Sequence, residues 1–276
     1  MSVINTKEQK KNIISVIVPD ICDYFYSGVI ACLSDLAEKK GFTILTFPSN
    51  DSFKQENEII NTVVRNNTAG VIASVTSETT SSDHFKKLEK YKIPLVMFDR
   101  IIDNYLVPNV ISNNIEISGW IVSELLRKGN KKIAYICGPE SVQVFLERRN
   151  GYQKTINDNN LNYMKCIEIK NKYTSKDVRK TLQDLYQTDM KPDGIICETD
   201  GLLKDVLLEL REMQTILPGN IKVAGFSENT NLKVCFPELI IASRPIDLIS
   251  YKLFDLLMNY QNNNYFESIT IASSIL

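Results

Sequence analysis

"IISVIVPDICDYFYSGVIACLSDLAEKKGFTILTF", residues 13–47, changes its hydrophobic period twice within one short stretch. Its first six residues, "IISVIV", are almost continuously apolar and rich in β-branched side chains. The run is too short for a buried helix and stops at Pro19-Asp20. Beyond the aromatics Tyr24, Phe25 and Tyr26, the residues Val29, Ile30, Leu33, Leu36 and Ala37 fall at i, i+1, i+4, i+7 and i+8. That spacing marks one face of an α-helix, and Gly41 follows as its C-cap. A second apolar run, "TILTF" at 43–47, closes the unit. Two strands apolar along their length and joined by an amphipathic helix read as a parallel pair covered on both faces.

The same alternation continues outward. "GVIASV" (70–75) and "IPLVMF" (93–98) are further strands, and Ile59, Ile60, Val63 and Val64 form a second helical stripe. A second series follows with strands at "KIAYIC" (132–137), "KCIEI" (165–169), "DGIIC" (193–197) and "KVAGF" (222–226). Leu-rich helices accompany them, "WIVSELLRKG" ending at Gly129 and "LLKDVLLELREM" ending at Met213. After "ELIIASRP" (238–245) there remain one helix, "DLISYKLFDLLMNY", and one strand, "SITIASSIL". These are too few for a third domain, so each is expected to complete one of two sheets, with several chain crossings acting as a hinge. The predicted fold class is α/β, two doubly wound parallel-sheet lobes joined by a multi-strand hinge. The expected boundaries are residues 1–11 as a linker remnant, 12–113 plus 244–262 as the N-terminal lobe, and 114–243 plus 263–276 as the C-terminal lobe.

Composition narrows the function classes. A chain of 276 residues that is 43% hydrophobic and 24% charged has the makeup of a globular protein, and no apolar run is long enough to span a bilayer. Formal net charge is -1 and the lysines are dispersed, so the chain has no electrostatic footprint for DNA of its own. The first eleven residues lack the apolar stretch of a secretory signal, and the six cysteines are scattered without C-x-x-C pairs. The expectation is a cytoplasmic protein without disulfides, a zinc site or any other metal.

Catalysis has little to stand on. His84 is the only histidine, and "SSDHFKKLEK" reads as the start of an amphipathic surface helix, which would leave His84 solvated. "GFSEN" at 225–229 fails the nucleophile-elbow pattern at its last position, and neither G-x-G-x-x-G nor a Walker A loop is present, so no enzyme activity and no cofactor are expected. Polar residues gather instead where strands end. These are Asp20 to Tyr26, Asn50-Asp51, Ser74 to Ser77, Asp99-Arg100, Asn113-Asn114, Arg148, Thr199-Asp200 and Ser227-Glu228. Ligands of open parallel sheets bind outside the carboxyl ends of the strands. A set of Asp, Asn, Arg and aromatic side chains there suits a polyhydroxylated ligand, whose vicinal hydroxyls accept and donate paired hydrogen bonds. For Phe25 and Tyr26 the other reading is a staple of the helix start onto the core, and for Arg148 a surface arginine in "LERRNGY".

In this order and spacing, "GVI", "IPLVMFDR", "VISNNIEISGW", "LLRKGNKKIAYICGPES", "ERRNGYQKTI", "PDGIICETD" and "VAGFSEN" make the chain resemble the effector-binding core of the LacI/GalR family of bacterial transcription regulators. The resemblance runs from Ile13 to Leu276. It implies a type I periplasmic-binding-protein-like fold, a small-molecule effector held between lobes, a homodimer, and operator DNA bound through an N-terminal helix-turn-helix headpiece not present in this chain. The chain is accordingly expected to be a fragment of a longer regulator. Carried over residue by residue, Phe25 and Tyr26 match the aromatic pair lining the effector cleft, and Asp51 the loop after the second strand. Asp99-Arg100 and Asn114 match positions at or near the cleft, Arg148 matches the arginine that grips the effector, and Asp200 the acidic residue of an Asn-Asp pair, while Ser74 joins the expected effector contacts as a strand-end residue. Ser227 stands where the family often has Asp, Thr199 replaces the Asn before Asp200, and Tyr24 replaces the usual Pro. Loss of the carboxylate at 227 removes a bidentate acceptor for hydroxyls, so a carbohydrate effector is expected with its identity open, an acidic sugar held by Arg148 included. The alternative with the same fold is a sugar-binding protein of a transport or chemoreceptor system.

Overall fold

The computed structural model describes residues 12–66, 68–161, 166–169, 173–187, 191–213, 221–263 and 267–276. The linker expected over residues 1–11 lies outside them. Internal contacts divide the chain into two compact units. The first holds the chain up to Ile21, Gly28–Val110 and Asp247–Ile269, and the second holds Cys22–Ser27, Ile111–Ile246 and Thr270–Leu276. The expected boundaries after 113, 243 and 262 lie three to seven residues away from these. Residues 22–27, expected in the N-terminal lobe, group with the second unit, where the Arg244 guanidinium lies 3.4 Å from the centroid of the Phe25 ring.

The first sheet holds β1 (Ile13–Val18), β2 (Thr43–Pro48), β3 (Gly70–Ala73), β4 (Leu95–Phe98), β5 (Asn109–Ser112) and β11 (Ser268–Ile271), in the order β11-β5-β4-β3-β1-β2, and the first unit ends within β5 and within β11. The register is parallel, with Val16 opposite Thr46 on one side and Ile72 on the other, and Ile72 opposite Val96. Helices α1 (Tyr24–Glu38), α2 (Phe53–Arg65), α3 (Lys86–Lys90) and α9 (Ile246–Asn263) connect them. The α1 helix begins where it does because Asp23 caps it, its Oδ1 accepting the main-chain N–H groups of Phe25 (2.8 Å) and Tyr26 (3.4 Å). Past its last residue the chain turns away at Gly41, whose N–H bonds the Glu38 carbonyl and whose backbone is left-handed at φ 78°, as the glycine reading of that position requires. Ile60, Val63, Val71, Ala73, Phe85, Leu88 and Met97 form a buried core between the sheet and α2–α3. Each of these side chains larger than alanine contributes roughly 1.5–3 kcal/mol by leaving water.

The second unit holds β6 (Ile133–Cys137), β7 (Ile167–Glu168), β8 (Gly194–Cys197), β9 (Lys222–Phe226), β10 (Ile240–Ser243) and β12 (Ser274–Ile275), in order β12-β10-β9-β8-β6-β7. All pairings are parallel except β10 with β12. Helices α4 (Asn114–Arg127), α5 (Gln143–Asp158), α6 (Ser175–Gln187), α7 (Asp200–Glu212) and α8 (Asn231–Cys235) complete it. The α4 and α5 helices approach closely at Gly151, where an added Cβ would stand 2.1 Å from the Ile115 carbonyl oxygen.

Two local expectations change. "SITIASSIL" is not one strand but two, β11 in the first sheet and β12 in the second. Asn113 fixes the end of the break, its Oδ1 accepting the Ser273 N–H at 2.8 Å. No glycine or proline marks that division, so the period-two pattern runs through it unseen. The short strand β5, bounded by Pro108 and Asn113, lies in a stretch not read as a strand. Among the described residues, no helix is long and apolar enough to cross a membrane.

Candidate functional site

In the first unit the carboxyl ends of β2, β3 and β4 bring Asp51, Ser74 and Arg100 together. Asp51 Oδ1 accepts from Arg100 Nη1 at 2.9 Å and from the Ser77 N–H at 2.8 Å, and its Oδ2 accepts the Ser77 hydroxyl at 2.7 Å. Ser74 Oγ accepts the Arg100 main-chain N–H at 3.4 Å. Asn50, Asp51 and Asp99 all have left-handed backbone, at φ 50°, 52° and 57°. That conformation is costly for residues with a Cβ and least so for Asn and Asp, so the loops carry strain where they turn polar groups across the strand ends.

Beneath this loop lies a feature that the sequence hides. His84 is buried, 4% exposed, and its Nε2 is 2.7 Å from Oε1 of the fully buried Glu56 on α2. This corrects the expectation of a solvated histidine. The helix after it is only α3, five residues long, and the ring packs edge-on to Phe53 and against Phe85. Glu56 also accepts the Thr76 N–H (2.8 Å) and the Thr79 hydroxyl (2.6 Å), so one carboxyl ties down the loop that presents Ser74 and Ser77.

In the second unit, residues at the carboxyl ends of β8, β9 and β10 meet side chains of α5 and of residues 22–27. Arg148 is 3% exposed, which sets aside the reading of a surface arginine. Its Nε donates to Asn114 Oδ1 at 3.1 Å, its Nη1 to the Glu198 carbonyl at 2.8 Å, and the guanidinium lies 3.9 Å from the centroid of Phe226. Asn114 in turn donates through Nδ2 to Glu147 Oε2 at 2.9 Å, which fixes its amide orientation. Asp200 accepts a short hydrogen bond from the Ser227 hydroxyl, and burial pushes its carboxyl above the usual carboxylate range against the pull of that bond. Phe25 and Tyr26 are both buried, their rings tilted at 5.4 Å. Arg244, stacked on Phe25, is held by Glu228 through Nε (2.7 Å) and Nη2 (3.0 Å).

The predicted residues therefore fall into one cluster in each unit, Asp51–Ser74–Arg100 in the first and Phe25, Tyr26, Asn114, Arg148, Asp200 and Ser227 in the second. Six of them are hydrogen-bonded in three pairs across long stretches of sequence, Asp51 with Arg100, Asn114 with Arg148, and Asp200 with Ser227. Arg244, Glu56 and Glu198 were not foreseen. A charged residue directly abutting an apolar strand, as in "GIICE" and "IIASR", is the only local signal for Glu198 and Arg244. Chemically the clusters offer paired carboxylate, amide, hydroxyl and guanidinium groups fixed in place. Among the described residues, no group of three or more His, Cys, Asp and Glu side chains could hold a metal ion.

The profile of the family described as "Periplasmic binding protein domain" matches residues 14–229. Catabolite control protein A of Priestia megaterium is 23% identical over 270 residues, 97% of this chain and 79% of that protein. The HTH-type transcriptional repressor CytR of Escherichia coli is 23% identical over 241 residues, 87% of this chain and 70% of that protein. A solved periplasmic binding protein/LacI transcriptional regulator from Alkaliphilus metalliredigens, complexed with D-xylulofuranose, superimposes with a TM-score of 0.81 at 22% identity, covering 96% of this chain and 97% of that one.

Proposed function

The chain belongs to the periplasmic binding protein domain family, among relatives that are LacI-type transcription regulators, and from that premise we propose that it senses a carbohydrate effector. The effector contacts are Phe25, Tyr26, Asp51, Ser74 and Arg100 together with Asn114, Arg148, Asp200 and Ser227. The observation that carries this reading is Arg148, a guanidinium kept almost entirely from water at the strand ends yet held flat by Phe226 and Asn114. A planar donor fork fixed in that way suits vicinal hydroxyls, a carboxylate or a phosphate. D-Xylulofuranose bound in the solved relative is in keeping with such a ligand. The working protein is a cytoplasmic homodimer that reaches operator DNA through a helix-turn-helix headpiece. Effector binding regulates it by having different affinities for two conformations, since equal affinity would shift nothing.

A thermal-shift screen with aldoses, ketoses, disaccharides, sugar acids and sugar phosphates tests this. At least one is expected to stabilise the protein by about 2.7 kcal/mol at a hundredfold excess over its Kd. Arg148→Met is expected to abolish that stabilisation. A screen in which no carbohydrate raises the melting temperature would sink the proposal.

A further inference from the structure

Glu198 directly follows β8 with no exposed surface, and it is bonded in three directions. Its Oε1 accepts the Tyr135 hydroxyl at 2.8 Å and its Oε2 accepts the Gly138 N–H at 2.6 Å. Its main-chain carbonyl accepts Nη1 of Arg148 at 2.8 Å. The side chain thus ties the end of β6 to the end of β8, and the same residue's backbone anchors the guanidinium assigned above to the effector. We propose that Glu198 is the positioning residue and internal countercharge of Arg148, so that the protonation of Glu198 governs how Arg148 is presented to ligand. The inference rests on the effector role of Arg148 for its functional meaning, but not for its physical content.

The two protonation states of Glu198 cannot make the same bonds. Both side-chain partners are donors, and the Gly138 N–H has no capacity to accept. A proton on Glu198 must therefore sit on Oε1, and the Tyr135 hydroxyl must turn to accept it. Tyr135 has little other freedom, because its ring is stacked on Tyr152 at 5.1 Å and 13°. The titratable or charged groups facing the carboxyl are Tyr135 and Cys137 from β6 and Arg148 and Arg149 from α5. Burial pushes the Glu198 carboxyl up to about 8, and the two arginines and two hydrogen bonds only partly oppose it. Losing the proton gives Arg148 a negative neighbour inside its own unit. Gaining it leaves the guanidinium charge uncompensated by this group.

The test follows the Arg148 Nε–H resonance by proton–nitrogen NMR on the whole chain, assigned by its disappearance in Arg148→Lys. Between about pH 6 and about pH 10 the wild-type resonance is expected to move with one midpoint near 8, and in Glu198→Gln to stay constant over that range. A resonance that does not move in the wild type, or that still titrates in Glu198→Gln, overturns the proposal. The wild-type titration needs no variant to fold. With any carbohydrate found by the thermal-shift screen, affinity is expected to change about tenfold across the midpoint in the wild type and to stay constant in Glu198→Gln. A screen without a binder would overturn the sensing role instead, and the resonance would still decide whether Glu198 governs Arg148.

Discussion

Replacing Glu56 by Leu probes the buried anchor beneath the first-unit cluster. The carboxyl accepts from the Thr76 N–H, the Thr79 hydroxyl and His84 Nε2, all within 2.8 Å. In Glu56→Leu the Thr79 hydroxyl keeps a partner, since Thr76 Oγ1 lies 2.8 Å away. The Thr76 N–H and His84 Nε2, in residues 2% and 4% exposed, do not. Two stranded buried donors at about 1–3 kcal/mol each give an expected loss of about 4 kcal/mol. Removing a carboxylate from the interior relieves some desolvation, and that sets the lower end of the range. Glu56→Gln keeps one acceptor oxygen and is expected to lose about half as much. Urea denaturation read by circular dichroism gives the order wild type, Gln, Leu. A Leu variant within about 1 kcal/mol of wild type would refute the claim that this carboxyl holds the loop.

Three further outcomes are expected. Gly151→Ala places a Cβ against the Ile115 carbonyl, so α4 and α5 must separate, and thermal unfolding should reveal a loss of about 2 kcal/mol or more. Arg244→Met strands Glu228, whose side chain is 3% exposed; a loss of about 3–5 kcal/mol in chemical denaturation is expected, and a neutral result would mean that the Arg244–Glu228 pair is dispensable. Because the folded-state pKa of Glu198 is raised, its proton stabilises the native state fully below its ordinary value of 4.5, and that stability is lost as pH rises through about 8. The loss approaches about 5 kcal/mol in full, and a stability–pH curve should flatten over this window in Glu198→Gln.

Where the chain alternates strand and helix was open to reading because apolar periodicity is a local property. β1, α1 and β2 follow from the spacing of their own side chains, and Gly41 from the left-handed turn that only a residue without a Cβ adopts easily. Strand ends were legible for the same reason, which is why Asp51, Asp200 and Ser227 could be singled out by where apolar runs stop; Arg148, expected among them, lies within α5, and only its guanidinium reaches a strand end, at the Glu198 carbonyl. β5 escaped because four residues, only two of them deeply buried, carry too little pattern.

By itself, then, the order of residues determined two sheets, their helices and the polar chemistry at their edges. Tertiary structure alone decided which of those polar groups meet. His84 is a buried partner and not a surface residue because Glu56 arrives beside it from 28 positions away, and the Glu198 carbonyl anchors Arg148 because the two meet from 50 positions apart. The physical reason is that the cost of burying a polar group depends on whether a partner is present, and no local period encodes a partner on another strand.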